Sequence, residues 1–178
     1  MMGDARGIAF EDRVRLMDLY ARYAWALDGG ETDALVECFT PDAVMHSGRE
    51  ISGHDKLREW HKNFGTDPGN PGGQHFASQF RVVEAGKDWA RTRVYVIRFH
   101  RIPGTTQSLP IWQGYYTDLC VKVGGQWYYK EKKAHEAEEL RQQRFGTDRP
   151  PATPRFADLG GTMATGWVEP EPAPATKG

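Results

Sequence analysis

Gly73-Gln74-His75-Phe76-Ala77-Ser78-Gln79-Phe80 is the stretch on which the fold turns. It leaves a Gly/Pro-rich loop, Pro68-Gly69-Asn70-Pro71-Gly72-Gly73, and opens a run that reads as a β-strand. Successive side chains of a strand point to opposite faces. On strict alternation His75, Ala77, Gln79 and Arg81 share one face, and Phe76, Ser78, Phe80 and Val82 share the other. The apolar weight lies with the phenylalanines, so His75 is expected on a mixed face. That face becomes a pocket if the sheet curls around it. A lone histidine is more often a surface or satisfied residue than a catalytic one, so the reading of His75 depends on a partner.

The candidate partner is Asp28. Residues 8–27 read as a helix in which Leu16, Tyr20, Ala24 and Asp28 follow one another at i+4, flanked by Met17, Tyr23 and Leu27. Gly29-Gly30 stops it, because glycine takes the left-handed conformation that a helix C-terminus needs. Asp28 therefore ends the core-facing row, an unfavourable place for a carboxylate. The helix dipole favours cations there, and burial removes hydration. Periodicity alone leaves two readings open: an acid aimed into the fold, or one that points to solvent or caps a turn.

Working outward, a short second helix is expected over 33–39, closed by Thr40-Pro41-Asp42. A strand over 43–46 comes next, with a partner after the Ser47-Gly48 turn, and then a third helix over 54–64. Four long β segments succeed it, at 74–84, 89–102, 109–123 and 126–133, joined by tight turns that make antiparallel neighbours. Residues 134–145 read as a short charged helix. Residues 1–145 thus form one domain, and 146–178 a Pro/Gly-rich tail without hydrophobic periodicity. The layout is α+β: a cone-like, curved antiparallel sheet, an α+β barrel, enclosing a pocket closed by the N-terminal helices.

At 178 residues the chain suits one domain with a real core. A net charge of -1 gives no basic field for nucleic acid or acidic membranes. No apolar run approaches a membrane span, and the N-terminus lacks a signal-peptide core, so a cytoplasmic protein is expected. Cys38 and Cys120 show no metal or disulfide spacing and read as small buried residues. No HExxH or other short paired spacing supports a metal, and no cofactor is expected.

Several stretches together resemble the NTF2-like, SnoaL-like superfamily over about residues 12–133. They are Leu19-Tyr20-Ala21-Arg22-Tyr23, Leu27-Asp28-Gly29-Gly30, Phe39-Thr40-Pro41-Asp42-Ala43-Val44, Ile51-Ser52-Gly53-His54-Asp55-Lys56-Leu57, Gln74-His75-Phe76 and Gly124-Gly125-Gln126-Trp127. Within it the chain looks most like the branch of scytalone dehydratase, the bile-acid dehydratase and hexachlorocyclohexane dehydrochlorinase. The resemblance implies an Asp–His dyad, which falls on Asp28 and His75. It places a second histidine at His100. His46 stands where a substrate-polarising tyrosine is found, Leu27 where another is found, and Tyr116 where an asparagine contacts ligand. It also implies a homo-oligomer, a trimer rather than a dimer.

If Asp28 and His75 meet, the carboxylate fixes the imidazole tautomer and leaves the other ring nitrogen as a base. His100 or His46 would donate to a leaving group or hold developing charge. The chemistry expected is a cofactor-free elimination or isomerisation of a hydrophobic, aromatic small molecule. Tyr23, Trp112 and Tyr116 read either as core or as pocket wall. Arg98 and Arg101 read either as anion-binding or as a solvated strand edge. His54 and His61 are assigned to the third helix without chemistry, and His135 to the surface. The alternative is a non-catalytic ligand-binding domain, or the small subunit of a ring-hydroxylating dioxygenase with a large partner chain.

Overall fold

The computed structural model describes residues 7–66, 73–102 and 104–137. Along them run α1 (Phe10–Gly29), α2 (Thr32–Val36), β1 (Phe39–His46), β2 (Glu50–Ser52), α3 (His54–Thr66), β3 (Gln74–Ala85), β4 (Trp89–Arg101), β5 (Ser108–Val123) and β6 (Gln126–Glu136). The strands form one sheet in the order β2-β1-β6-β5-β4-β3, with the helices packed on its inner face. The α+β class is as expected, with two differences in detail. β1 runs parallel to β6, so the sheet is mixed. Turn chemistry fixes the sense only of strands joined by short loops, and these two are far apart in the chain. β2 and β3 are the outer strands of the order, so the sheet is open and no barrel closes.

Helix α1 buries Leu16, Leu19, Tyr20, Tyr23, Ala26 and Leu27 against the sheet; Leu16, Tyr20, Tyr23 and Leu27 are as expected, but Met17 is 50% exposed and Leu19 and Ala26 are buried in addition. Asp12 in its first turn accepts hydrogen bonds from Trp127 Nε1 (2.9 Å) and Lys122 Nζ (2.8 Å), which pins that end across β5 and β6. The Lys122 ammonium holds the Asp12 carboxyl below its usual range. The other end stops at Gly30, whose φ of 72° is left-handed and whose N–H closes on the Ala26 carbonyl.

Helix α2 is shorter than expected: Phe39 and the Thr40-Pro41-Asp42 stretch belong to β1. Proline cannot donate to a ladder, and the register jumps there, from Phe39 opposite Tyr129 to Val44 opposite Glu131. Residues 134–136 complete β6 rather than opening a helix, because their pairing with Tyr116, Tyr115 and Gly114 continues. Residues 138–145 of that expected helix and the tail at 146–178 lie outside the described residues.

Strict alternation also fails in β3. Gln79 has a φ of 53°, and the register with β4 shifts between Ser78 and Arg81. One extra residue in a strand reverses the parity of every residue beyond it. His75 and Ala77 face inward, opposite Arg98 and Val96. Beyond the bulge Val82 also faces inward, opposite Thr92, and Phe80 packs edge-on against Tyr20 at 5.4 Å. Phe76 is turned out, 56% exposed. His75 therefore shares its face with Phe80 and Val82, against the sequence expectation.

The core lies between α1 and the inner sheet face, where Tyr20, Tyr23, Phe39 and Tyr129 pack ring against ring at 5.2–5.9 Å. Cys38 and Cys120 are free and buried; Cys38 lies just after α2 rather than within a helix. Among the described residues no helix is long and apolar enough to cross a membrane.

Candidate active site

The site begins with the end of α1. His61, on the inner face of α3, is buried. Its Nε2 lies 3.3 Å from the Leu27 carbonyl and its Nδ1 2.9 Å from the Thr32 hydroxyl. A carbonyl can only accept, so Nε2–H donates to Leu27, while Nδ1 meets the Thr32 hydroxyl. One imidazole thus ties together the last turn of α1, the start of α2 and the body of α3. Sequence reasoning gave His61 no role; the signal was a histidine within the apolar row Leu57, Trp60, Phe64.

Asp28 is the next residue along. Its Oδ2 accepts the backbone N–H of His75 at 2.8 Å, and its Oδ1 lies 2.5 Å from His75 Nδ1. The two side chains are 19% and 7% exposed. The choice that periodicity left open is resolved: Asp28 is aimed at the sheet. A carboxylate accepts, so the hydrogen between them is carried by Nδ1, and the ring is fixed in orientation.

His75 stands in the wall of a cavity of about 440 Å³, a size suited to a small organic molecule. Tyr23, Leu27, Trp60, Phe64, Arg98, Trp112 and Tyr116 line it, with Ser47, Gly48 and Glu136 at other points of the wall. Trp112 and Tyr116 stack at 6.2 Å with 28° between their planes. Gly114 lies between them in sequence, and a Cβ there would fall 2.0 Å from the His135 carbonyl and 2.5 Å from the Trp112 ring. Burial pushes the Tyr23 and Tyr116 hydroxyls well up from their ordinary values, and the Asp28 charge adds to this at both. Both keep their protons. Tyr23 O–H donates to Met45 Sδ at 3.9 Å.

Four of the expected binding residues, Tyr23, Arg98, Trp112 and Tyr116, therefore surround His75. Two expected histidines do not. The register puts Arg98, not His100, opposite His75; His100 lies farther along β4 and outside the cavity lining. His46 alternates with the buried Met45, so it faces away from the cavity, 4.0 Å from Glu131. His135 is not a free surface residue: its ring stacks on Tyr115 at 4.5 Å and its Nε2 lies 2.8 Å from the Thr117 hydroxyl. His54 holds the Phe39 carbonyl at 3.0 Å. Among the described residues no three His, Cys, Asp or Glu side chains cluster as metal ligands would.

Beneath the cavity lies a pair that sequence reasoning missed. Lys132 Nζ is 3.3 and 3.5 Å from the two Asp118 oxygens, with side-chain exposures of 2% and 0%. The ammonium also sits 4.0–4.6 Å from the ring centres of Tyr116, Tyr129, Tyr23 and Tyr20, within cation–π range. A bulge in β6 puts it there. Cys120 pairs with Tyr129 but Leu119 with Glu131, so the inward row passes from Trp127 and Tyr129 to Lys132. Burial pushes the Asp118 carboxyl up to about 6 against the pull of Lys132, and burial holds Lys132 below its usual value.

A SnoaL-like domain profile matches residues 9–133. The chain belongs to the SnoaL-like domain family. A search of curated proteins found none that matches it. Among solved structures it is similar to a variant of Rv3472, a protein of unknown function from Mycobacterium tuberculosis. That likeness has 22% identity and a TM-score of 0.65, over 71% of this chain and 72% of the other. A candidate aromatic ring hydroxylase from Novosphingobium aromaticivorans has 25% identity and a TM-score of 0.64, over 73% and 92%. A candidate scytalone dehydratase from the same organism has 22% identity and a TM-score of 0.62, over 71% and 85%. The family and its neighbours establish the fold.

Proposed function

We propose that this SnoaL-like domain is a cofactor-free lyase of the dehydratase type, or an isomerase, acting on a hydrophobic aromatic small molecule. The observation that carries the reading is the 2.5 Å contact between Asp28 and His75 in the wall of an aromatic cavity. His75 Nε2 takes a proton from a carbon next to an activating group. Asp28 keeps the ring in the required tautomer and balances the positive charge it acquires. The electron pair left on carbon then expels water, halide or another leaving group from the adjacent carbon, or is reprotonated elsewhere. With His46 turned away and His100 outside the lining, the protonated Tyr116 hydroxyl is the wall donor for the departing group. General-base help of this kind is worth roughly 10²–10⁴-fold, and the cavity adds positioning.

The test is solvent-deuterium exchange and turnover across a panel of aromatic substrates. His75→Ala and Asp28→Asn should each abolish both in a folded protein; normal activity in either variant ends the proposal.

A second reading, the small subunit of a ring-hydroxylating dioxygenase, draws support from the 25% likeness to a candidate aromatic ring hydroxylase. It requires a large partner chain to co-purify and leaves His75→Ala without effect. Self-association, as a trimer rather than a dimer, belongs to the proposal. The outward residues Phe76, Tyr95 and Ile97 leave apolar surface exposed, and a monomeric mass by light scattering would refute it.

A further inference from the structure

We infer that the outer face of the sheet carries a binding site for a phosphate monoester, held between Arg81 and Arg93. It is independent of His75, which faces inward. The bulge at Gln79 makes the site. Ser78 stands opposite Tyr95 and Arg81 opposite Arg93, so Gln79 and Phe80 together face the single residue Val94. Without the extra residue Phe80 would meet Arg93 and Arg81 would turn inward. With it, two arginines stand directly opposite each other on neighbouring strands, their Cβ atoms roughly 5 Å apart.

Both features work against stability when nothing is bound. Like charges directly across a ladder repel. Gln79, at φ 53°, is the one non-glycine residue with positive φ among the described residues, and such conformations collect at ligand sites. The same cross-strand row runs on through Thr117 to Lys133, which adds a third cation. In the next row Glu84 already meets Arg91 at 3.8 Å. The bulge also leaves a hollow: Gln79, Arg81, Arg93, Val94, Tyr95 and Tyr115 line a cavity of about 220 Å³. The Ser78 hydroxyl donates to Gln79 Oε1, so Gln79 has its amide N–H donors left to offer a ligand. One guanidinium fork satisfies the two oxygens of a carboxylate. A phosphate monoester brings three terminal oxygens and close to two charges, and so matches both forks. Tyr95, 52% exposed, supplies an open ring for the body of the ester.

The experiment is calorimetric titration of the full chain with phenyl phosphate and with benzoate, which share a ring and differ in the anionic head. The wild type should bind phenyl phosphate on the order of 10-fold more tightly than benzoate, the worth of one charge-assisted hydrogen bond. Arg81→Gln and Arg93→Gln should each weaken phenyl phosphate binding by a similar factor, on the order of 10-fold. Both arginines are exposed, so both variants should fold and, with one of two like charges gone, melt no lower than the wild type. His75→Ala should bind phenyl phosphate as the wild type does, which separates this site from the catalytic reading. No binding of phenyl phosphate by the wild type, no preference over benzoate, or undiminished binding in either arginine variant would overturn the inference. So would a clear fall in melting temperature in those variants, which would mark the arginines as structural, or loss of binding in His75→Ala.

Discussion

Two carboxylates meet nitrogen-bearing partners on the inner side of this sheet, and their surroundings are opposite. Asp28 grips His75 at the edge of a cavity, and both side chains keep some access to solvent. Asp118 grips Lys132 under a layer of tyrosine rings with almost none. The first pair presents a ring nitrogen to whatever occupies the cavity. The second presents nothing, and burial shifts both of its members toward their neutral forms. Charge pairing alone therefore says little about chemistry; what separates an active group from a structural one here is a free valence facing open space.

The comparison breaks most visibly in stability. Lys132→Met should cost about 3–5 kcal/mol in urea denaturation, since it strands a buried carboxylate. Asp28→Asn should cost about 1 kcal/mol while removing activity. A similar loss from both would erase the distinction.

The next largest effect is in pH. The Asp118 carboxyl is raised in the fold, to about 6 from 3.8 unfolded. Its contribution is thus fully present below the unfolded value and lost as pH rises through about 6. A double variant, Asp118→Leu with Lys132→Met, lacks this linkage. Its stability relative to wild type should fall by on the order of 2 kcal/mol between pH 7.5 and 4.5, with denaturation at both pH values as the check.

Gly114→Ala probes the cavity wall, because the added methyl meets the His135 carbonyl and the Trp112 ring. Overpacking of this kind costs about 1–3 kcal/mol, read by thermal melting. The smallest effect is at His61. His61→Ala releases the Leu27 carbonyl beside Asp28 and should lower kcat by roughly tenfold, about 1.4 kcal/mol. KM should change little; a KM effect alone would mean that His61 shapes the cavity rather than the dyad.

Much of this was legible in the chain. The Gly29-Gly30 stop, the long strands with their tight turns, and a carboxylate at the end of an apolar row all come from local rules, and the structure honours them. What local rules could not supply was parity. The bulges at Gln79 and in β6 decide that Val82 and Lys132 face inward, and neither has a strong sequence signal. The parallel pairing of β1 with β6 and the outward turn of His46 arise from contacts between distant segments. Residue pairs joined by the long-range fold, His61 with Leu27 and Lys132 with Asp118, stayed hidden for the same reason.

The kink at Gln79 has a bearing on how such a protein changes over time. It divides β3 into two halves that look to the same side but answer to different demands, one to the cavity at His75, the other to the packing at Phe80 and Val82. Substitutions ahead of the kink can retune what is bound without disturbing the interior behind it. Deleting a single residue there would instead rotate His75 out of the protein and detach it from Asp28, at no change in composition elsewhere.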